Sequence, residues 1–168
     1  MQTRETHHVS EATDVASCDW SDLHTAAWLG MLQTYRHLTR DLDAELEAQH
    51  GLSLSGLELL SRLAVAAERR LRLSALAEQI GLSISGVSRL VDTLEDGSLV
   101  ERHTCPEDGR AVNAWLTRAG LELVGAAQAT HFAGVQRDFF AHLSAGELRT
   151  LADVFTRVAP DARAACLS

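Results

Sequence analysis

Apolar residues follow a helical period over the first and last thirds of the chain. They recur at steps of three or four over residues 20–46, which predicts one helix of about 28 residues that Gly51 ends. A second stripe over residues 121–139, capped by Thr117, predicts another long helix, and a capping-box pattern at residues 144–147 predicts a last one. Such long helices rarely pack only on their own chain, so we expect a partner chain.

The middle of the chain predicts three shorter helices and a hairpin. A capping-box pattern at residues 55–58 predicts one helix, and a second is predicted from Ser74 to a stop at Gly81. A third follows over about residues 83–95, with its inner face formed by Ile84, Val87, Leu90, Val91 and Leu94. The period then changes to two. Residues 99–103 and 111–116 predict strands around a turn-rich tip at residues 105–110 that contains Asp-Gly.

The two helices around Gly81 have the side chains that a helix-turn-helix requires. Ala77 is small where the helices cross, Gly81 tolerates a positive φ in the turn, and Val87 is a branched residue for the buried face. The outward face of the second helix then carries small side chains and one arginine: Ser83, Ser85, Gly86, Ser88 and Arg89. These side chains suit close approach to base edges and phosphates in a major groove.

The predicted hairpin adds a second DNA-binding element. It places Arg110 at its tip, where a guanidinium group suits the negative potential of a minor groove. A helix-turn-helix followed by such a hairpin predicts a winged helix. The alternative is a helical hairpin that binds no ligand.

Composition favours an intracellular helical protein with an acidic net charge. The 15 basic residues are all arginine, and the formal net charge is −8. Residues 69–118 balance seven arginines with seven acids, so the predicted DNA-binding segment is less acidic than its flanks. The N-terminus has no apolar signal region and no apolar run is long enough to span a membrane. Three scattered cysteines form no CxxC pair. We therefore expect a cytoplasmic location and no membrane partner.

The middle third resembles the MarR family of bacterial transcriptional regulators. The motifs are L-A-x-x-I-G-L-S, V-S-R-L-V-D-x-L-E, G-x-L-V-x-R, E-D-G-R and L-T-x-A-G, in that order. The resemblance is strong at residues 73–120 and covers about residues 22–158. It implies a mostly α fold with a small β-hairpin wing, that is, a winged helix-turn-helix with long N- and C-terminal dimerisation helices. The implied layout is a flexible tail (1–19), a dimerisation helix (20–50), the DNA-binding domain (52–118) and further dimerisation helices (119–160).

The resemblance also implies a function. It indicates a homodimer, most simply a repressor, that binds a pseudo-palindromic double-stranded DNA operator without a cofactor. By position, Arg110 matches the wing-tip arginine and Asp108 the aspartate that orients it. The remaining matches to groove- or phosphate-contacting positions are Ser83, Ser85, Ser88, Arg89, Arg102 at the base of the wing and, more weakly, Arg72. His103, Glu107 and Gly109 stand where the family often has basic residues, so we expect modest or strongly salt-dependent affinity.

The sequence leaves four kinds of effector site open. A small phenolic or drug-like molecule, typical of the family, leads; its pocket would be bordered by His24, Trp28, Met31, Leu57, Leu60 and Trp115. The alternative is that these residues form ordinary core or a dimer seam. Cys18 lies near the position at which organic-hydroperoxide sensors of the family have their peroxidatic cysteine. Neighbouring acidic residues disfavour a reactive thiolate here, so an inert thiol is favoured. Cys105 and Cys166 are expected to be incidental. The eight histidines form no HxxxH metal motif, and none is singled out as a proton sensor.

Two other classes of protein remain as alternatives. A winged helix that binds proteins instead of DNA is the first, and a basic strip along Arg72, Arg89, Arg102 and Arg110 would argue against it. An enzyme is the second. The sequence contains no paired carboxylates, nucleophile elbow, P-loop or metal motif to support it.

Overall fold

The computed structural model describes residues 21–105 and 108–160, with the backbone alone for residues 105 and 108–111. The predicted fold class is confirmed: the chain is mostly helical with a small antiparallel sheet. In chain order the elements are α1 (Asp22–His50), α2 (Leu54–Val65), β1 (Arg70–Arg72), α3 (Leu73–Ile80), α4 (Ile84–Asp96), β2 (Val100–Cys105), β3 (Asp108–Leu116), α5 (Arg118–Asp138) and α6 (Ala145–Val158). One-turn 3-10 helices lie at Ala67–Arg69 and Phe140–His142.

The chain divides into two compact units, Met1–Thr34 and Tyr35–Ser168. The described part of the first unit is the N-terminal part of α1, on which Leu23, Trp28, Leu29 and Met31 are exposed. The second unit begins within α1, which ends as predicted at Gly51 with a left-handed φ of +61°. Since Gly has no Cβ, it adopts this conformation at little cost.

The core of the second unit is aliphatic and continuous. Leucines of α1, α2 and α3 meet valines of α4 and β2, and α5 completes the cluster. The fully buried side chains include Leu46, Leu59, Leu60, Leu63, Leu76, Val87, Val91 and Val100. No polar or charged residue is fully buried among the described residues of this unit, so apolar burial is the main driving force for its packing.

The sheet has one strand more than the sequence predicts. Strand order is β1-β3-β2, and all neighbours are antiparallel. β1 has only three residues, with Arg70 paired to Trp115 and Arg72 to Asn113. A three-residue strand is too short to show a period of two, which is why the sequence pattern did not reveal it. β1 connects the segment before α3 to the wing hairpin.

Two helix starts differ from the predictions. Ser53, rather than Ser55, is the N-cap of α2, because the Ser53 hydroxyl accepts a hydrogen bond from the Gly56 amide at 3.0 Å. Asp43 Oδ1 accepts a second one, from the Leu54 amide, at 2.7 Å. Helix α3 begins at Leu73, so Ser74 lies inside it, and the N-cap position is Arg72, which makes no side-chain capping bond.

The helix-turn-helix prediction is confirmed in its buried residues and wrong at one position. Ala77 and Val87 are buried between α3 and α4, and Gly81 has a φ of +68° in the turn. Ile84, predicted on the inner face, is 60% exposed. Ile84 has nearly the same angular position on the helix as the buried Val91. However, it is the first residue of α4 and lies two turns before Val91, so its side chain extends past the end of the core.

The strands of the hairpin are longer than predicted, and fewer residues connect them. β2 extends to Cys105 and β3 begins at Asp108, so the Asp-Gly dipeptide lies in a strand rather than in the turn. The pairing changes from Thr104↔Val112 to Cys105↔Asp108, which leaves residues 109–111 as extra residues on β3. The Asp-Gly dipeptide therefore marks this irregularity in β3 instead of the turn, since glycine also favours bulges. The connecting residues 106 and 107 lie outside the described residues.

The last two helices have the predicted caps. Thr117 accepts a hydrogen bond from the Gly120 amide at 3.0 Å and thereby begins α5. The predicted capping box of Ser144 and Glu147 is present at the start of α6. No residue of α6 is buried in the described chain. Leu148, Phe155 and Val158 are exposed, and Leu151 and Val154 are partly exposed.

Candidate nucleic-acid interface

Helix α4 begins with a small, hydroxyl-rich surface. Ser83 is its N-cap, and the Ser83 hydroxyl accepts a hydrogen bond from the Gly86 amide at 3.1 Å. The Ser85 hydroxyl lies 3.1 Å from the Ser83 hydroxyl. Ser83 and Ser85 are exposed, and Gly86 is partly exposed. Both serines are therefore accessible, but the Ser83 oxygen already serves the helix as its cap.

The exposed face of α4 carries positive charge near its start. Arg89 is the only charged residue from Ile84 through Val91, and its side chain is exposed. In the described part of the chain it makes no ion pair. The helix dipole adds partial positive charge at the same end. This end of α4 is therefore suited to an anionic partner.

Arg102 is attached to α4 rather than directed to solvent. Its side chain is 25% exposed and its Nη2 atom lies 2.6 Å from Asp92 Oδ1. The same atom donates to the Ser88 carbonyl oxygen at 2.5 Å, and the Arg102 amide donates to Glu95 Oε1 at 3.0 Å. Arg102 thus joins β2 to α4 and partly neutralises the acidic residues Asp92 and Glu95.

The sequence prediction missed this role of Arg102. Arg102 pairs with Ala114, and Ala114 is fully buried, so both face the core side of the sheet. Alternation along β2 together with the acids of the preceding helix could have indicated the contact. The predicted basic strip therefore does not include an unpaired Arg102.

The opposite face of the sheet is formed around Trp115. The Arg70 guanidinium lies 5.1 Å from the centre of the Trp115 ring, and the His103 ring lies 5.0 Å from it. His103 Nε2 is 3.2 Å from Glu101 Oε2, and Arg70 Nη2 is 2.7 Å from Glu68 Oε2. The Trp115 indole nitrogen is buried and has no hydrogen-bond partner in the described chain. Arg70 thus makes a cation–π contact that helps hold β1 on the sheet.

The other predicted DNA-contacting residues are placed less completely. Arg72 is exposed on β1 and makes no ion pair within the described ranges. Ser88 is partly buried, with its carbonyl oxygen bound by Arg102. Asp108 and Arg110 belong to β3, but only their backbone is among the described parts of the chain. Their roles on the wing stay predictions.

The residues predicted to border an effector pocket belong to both units. Leu57 and Leu60 belong to the aliphatic core. Trp115 lies on the sheet face away from Ala114, between Arg70 and His103. His24, Trp28 and Met31 are exposed on the N-terminal part of α1, in the other unit. The effector pocket stays a prediction, and any ligand that contacts Leu57 or Leu60 would have to displace core packing.

The other candidate sensing groups receive no assigned site. Among residues 21–160, apart from the turn and its flanking side chains, no three His, Cys, Asp or Glu residues are grouped to hold a metal ion. Cys18 and Cys166 lie outside the described residues. His131 of α5 is partly buried, its Nδ1 atom has no hydrogen-bond partner in the described chain, and this burial lowers its pKa. None of the helices described could cross a membrane.

These elements define a class of protein: α3 and α4 form a helix-turn-helix, and the β2–β3 hairpin that follows is its wing. The MarR family model matches residues 52–112, which span this region. The structure of AbsC, a MarR family transcriptional regulator from Streptomyces coelicolor, is 31% identical, with a TM-score of 0.77 over 86% of this chain and 97% of that chain. The chain belongs to the MarR family.

Two further solved structures from Streptomyces coelicolor are similar. Sco3205, a MarR family transcriptional regulator in complex with DNA, is 28% identical, with a TM-score of 0.78 over 83% of this chain and 88% of that chain. Sco5413 is 24% identical, with a TM-score of 0.70 over 86% of this chain and 96% of that chain, and supports the fold alone. Comparison with curated proteins gives no significant match. The family assignment makes the chain a DNA-binding transcriptional regulator.

Proposed function

We propose that the chain is a cytoplasmic homodimeric regulator, most simply a repressor, that binds a pseudo-palindromic operator. One α4 helix from each protomer enters a major groove, and each wing reaches the adjacent minor groove. A small phenolic or drug-like effector changes the affinity for DNA. This last part of the proposal is supported by family resemblance alone.

The exposed start of α4 is the observation that carries the proposal. Buried Ala77 and Val87 fix this helix against α3, so its N-terminal face is presented on a rigid support. Accessible hydroxyl groups, a single unpaired arginine and the helix dipole meet there. Arg102 holds the acids Asp92 and Glu95, which reduces their repulsion of phosphates. The DNA complex of the similar regulator Sco3205 supports the same use of the fold.

Unpartnered apolar side chains support the dimer. Helix α6 has an exposed apolar stripe and no buried residue in the described chain, and Phe132 of α5 is exposed as well. Exposed apolar surface of this extent is typical of an interface between chains. Sedimentation equilibrium tests this directly: we expect a dimer at micromolar concentration, and a monomer would contradict the proposal.

DNA binding is tested by selecting bound duplexes from genomic fragments and measuring affinity by fluorescence anisotropy at several salt concentrations. Arg89→Ala should weaken binding and reduce the slope of log affinity against log salt by about one per protomer, because one phosphate contact is lost. Arg149→Ala is the matched control, since Arg149 is an exposed arginine on α6, and sedimentation equilibrium should show that this variant stays dimeric. Equal effects of the two substitutions would remove Arg89 from the interface.

The same selection separates DNA binding from the protein-interaction alternative. A dimer that enriches no duplex at low salt would indicate that the winged helix has another partner. Repeating the binding measurement with a panel of simple phenols tests the effector. We expect at least one compound to change affinity for the selected duplex, and no change across the panel would contradict the phenolic assignment.

A further inference from the structure

Ile84 is an exposed branched side chain in the first turn of the proposed recognition helix. It is 60% exposed, whereas Val87, Val91 and Leu94, on the buried face of the same helix, are at most 3% exposed. Leu82, just before the N-cap, is 40% exposed. The surface at the start of α4 therefore combines two aliphatic side chains with the two serine hydroxyls.

The position of Ile84 suits it to contact a base. Residues at the N-terminus of a recognition helix are those that contact base edges in the major groove. Ile84 follows the N-cap directly, so it lies at the end of α4 that would enter deepest. Its neighbours Ser83 and Ser85 are 3.1 Å apart through their hydroxyl oxygens, and Ser83 also caps the helix. Ile84 is thus the aliphatic side chain that separates these two serines along the chain.

The largest apolar group on the base edges of the major groove is the C5-methyl group of thymine. Thymine presents a C5-methyl group there, whereas the other edges present hydrogen-bond donors and acceptors. An aliphatic side chain against a donor or acceptor would remove water from it without replacing its hydrogen bond. A thymine methyl group is therefore the contact that gains most from Ile84.

We propose that Ile84 is a specificity residue that packs on the C5-methyl group of a thymine in each operator half-site. This proposal rests on the proposed function, because it requires α4 to enter the major groove. It predicts that each half-site contains a T·A pair whose thymine methyl group contributes to affinity through Ile84.

The test uses a duplex selected by the wild-type protein, resynthesised with deoxyuridine in place of thymidine at one symmetric pair of positions at a time. Deoxyuridine pairs like thymidine but lacks the methyl group. At one pair of positions we expect wild-type affinity to fall roughly fourfold per half-site, the loss expected for one buried methyl-sized group. Ile84→Ala should bind the thymidine duplex more weakly and should not respond to deoxyuridine at that position.

Two controls keep the experiment interpretable. Val65→Ala truncates another aliphatic side chain, 75% exposed at the end of α2, and should keep both the affinity and the response to deoxyuridine. Ile84→Val retains a branched side chain and should keep part of the response. Circular dichroism should show that all variants are folded, because both positions are exposed and alanine favours helices.

The outcomes separate the two proposals. If the wild-type protein selects no duplex, the proposed function fails. If it binds a selected duplex but no deoxyuridine substitution weakens binding, the role of Ile84 is overturned while the proposed function stands. The same holds if Ile84→Ala retains the full response to deoxyuridine. Loss of the response in Ile84→Ala alone, with Val65→Ala unchanged, supports the methyl contact.

Discussion

Replacing Gly120 with alanine should separate α5 from the wing. A Cβ atom at Gly120 would overlap the carbonyl oxygen of Leu99 and would lie 2.7 Å from Leu116 Cδ1. The obstacle is partly backbone, so it cannot rotate away. The Leu99 carbonyl also accepts hydrogen bonds from the amide of Thr117 at 3.1 Å and from its hydroxyl at 3.1 Å. Movement of this carbonyl would therefore weaken the joint between β2 and the start of α5.

The net effect can be estimated from these contacts. Overpacking costs about 1–3 kcal/mol, and each weakened hydrogen bond costs about 1 kcal/mol. Alanine returns up to about 1 kcal/mol through its helix propensity. We expect the free energy of unfolding to fall by about 2–4 kcal/mol. For a chain of this length that lowers the melting temperature by roughly 5–15 °C.

Gly125 provides a matched control on the same helix. A Cβ atom at Gly125 would meet nothing within 4 Å, so Gly125→Ala should raise the free energy of unfolding by about 0.5–1 kcal/mol. Thermal and urea unfolding followed by circular dichroism, at equal protein concentrations, measure both variants. If Gly120→Ala proves as stable as Gly125→Ala, the close approach of α5 to Leu99 is refuted.

Three further predictions concern a cap, an ion pair and a histidine. Ser53→Ala should lose about 1 kcal/mol of stability, while Ser55→Ala should lose none, and urea unfolding of the two distinguishes the true cap. Arg102→Met should lose about 1–2 kcal/mol and should weaken DNA binding, with Asp92→Asn restoring part of the binding; anisotropy that shows no change would contradict the charge argument. Burial lowers the pKa of His131, so the unfolded chain binds more protons and stability should fall as pH drops below about 6.5, the ordinary value. His131→Gln should reduce that fall in urea midpoints between pH 7.5 and 5.5, and an unchanged slope would exclude this contribution.

Residues whose role is set by local sequence were predicted well. The small Ala77, the turn at Gly81 and the buried Val87 are required by the crossing of two short helices, and the structure has all three as expected. Thr117 and Ser144 cap helices because their hydroxyl groups reach amides three residues ahead. Such features depend on a few neighbouring residues and are therefore visible in one sequence.

Residues whose role depends on distant contacts were predicted less well. Ile84 has nearly the same angular position as Val91, but the helical period does not reveal that the core ends before the first turn of α4. The ion pair of Arg102 with Asp92 was not visible in the sequence, and the expected contact of Arg102 with DNA stays a prediction. The side chain of Arg110 lies outside the described residues, so its expected contact stays a prediction.

The length of β1 has a consequence for solubility. β3 lies at the centre of the sheet, so β1 forms one of its two edges. This edge has only three residues, and arginines stand at both of its ends. A strand from another molecule would gain few backbone hydrogen bonds there and would meet two charged side chains. The brevity of β1 therefore protects this edge of the sheet against edge-to-edge aggregation.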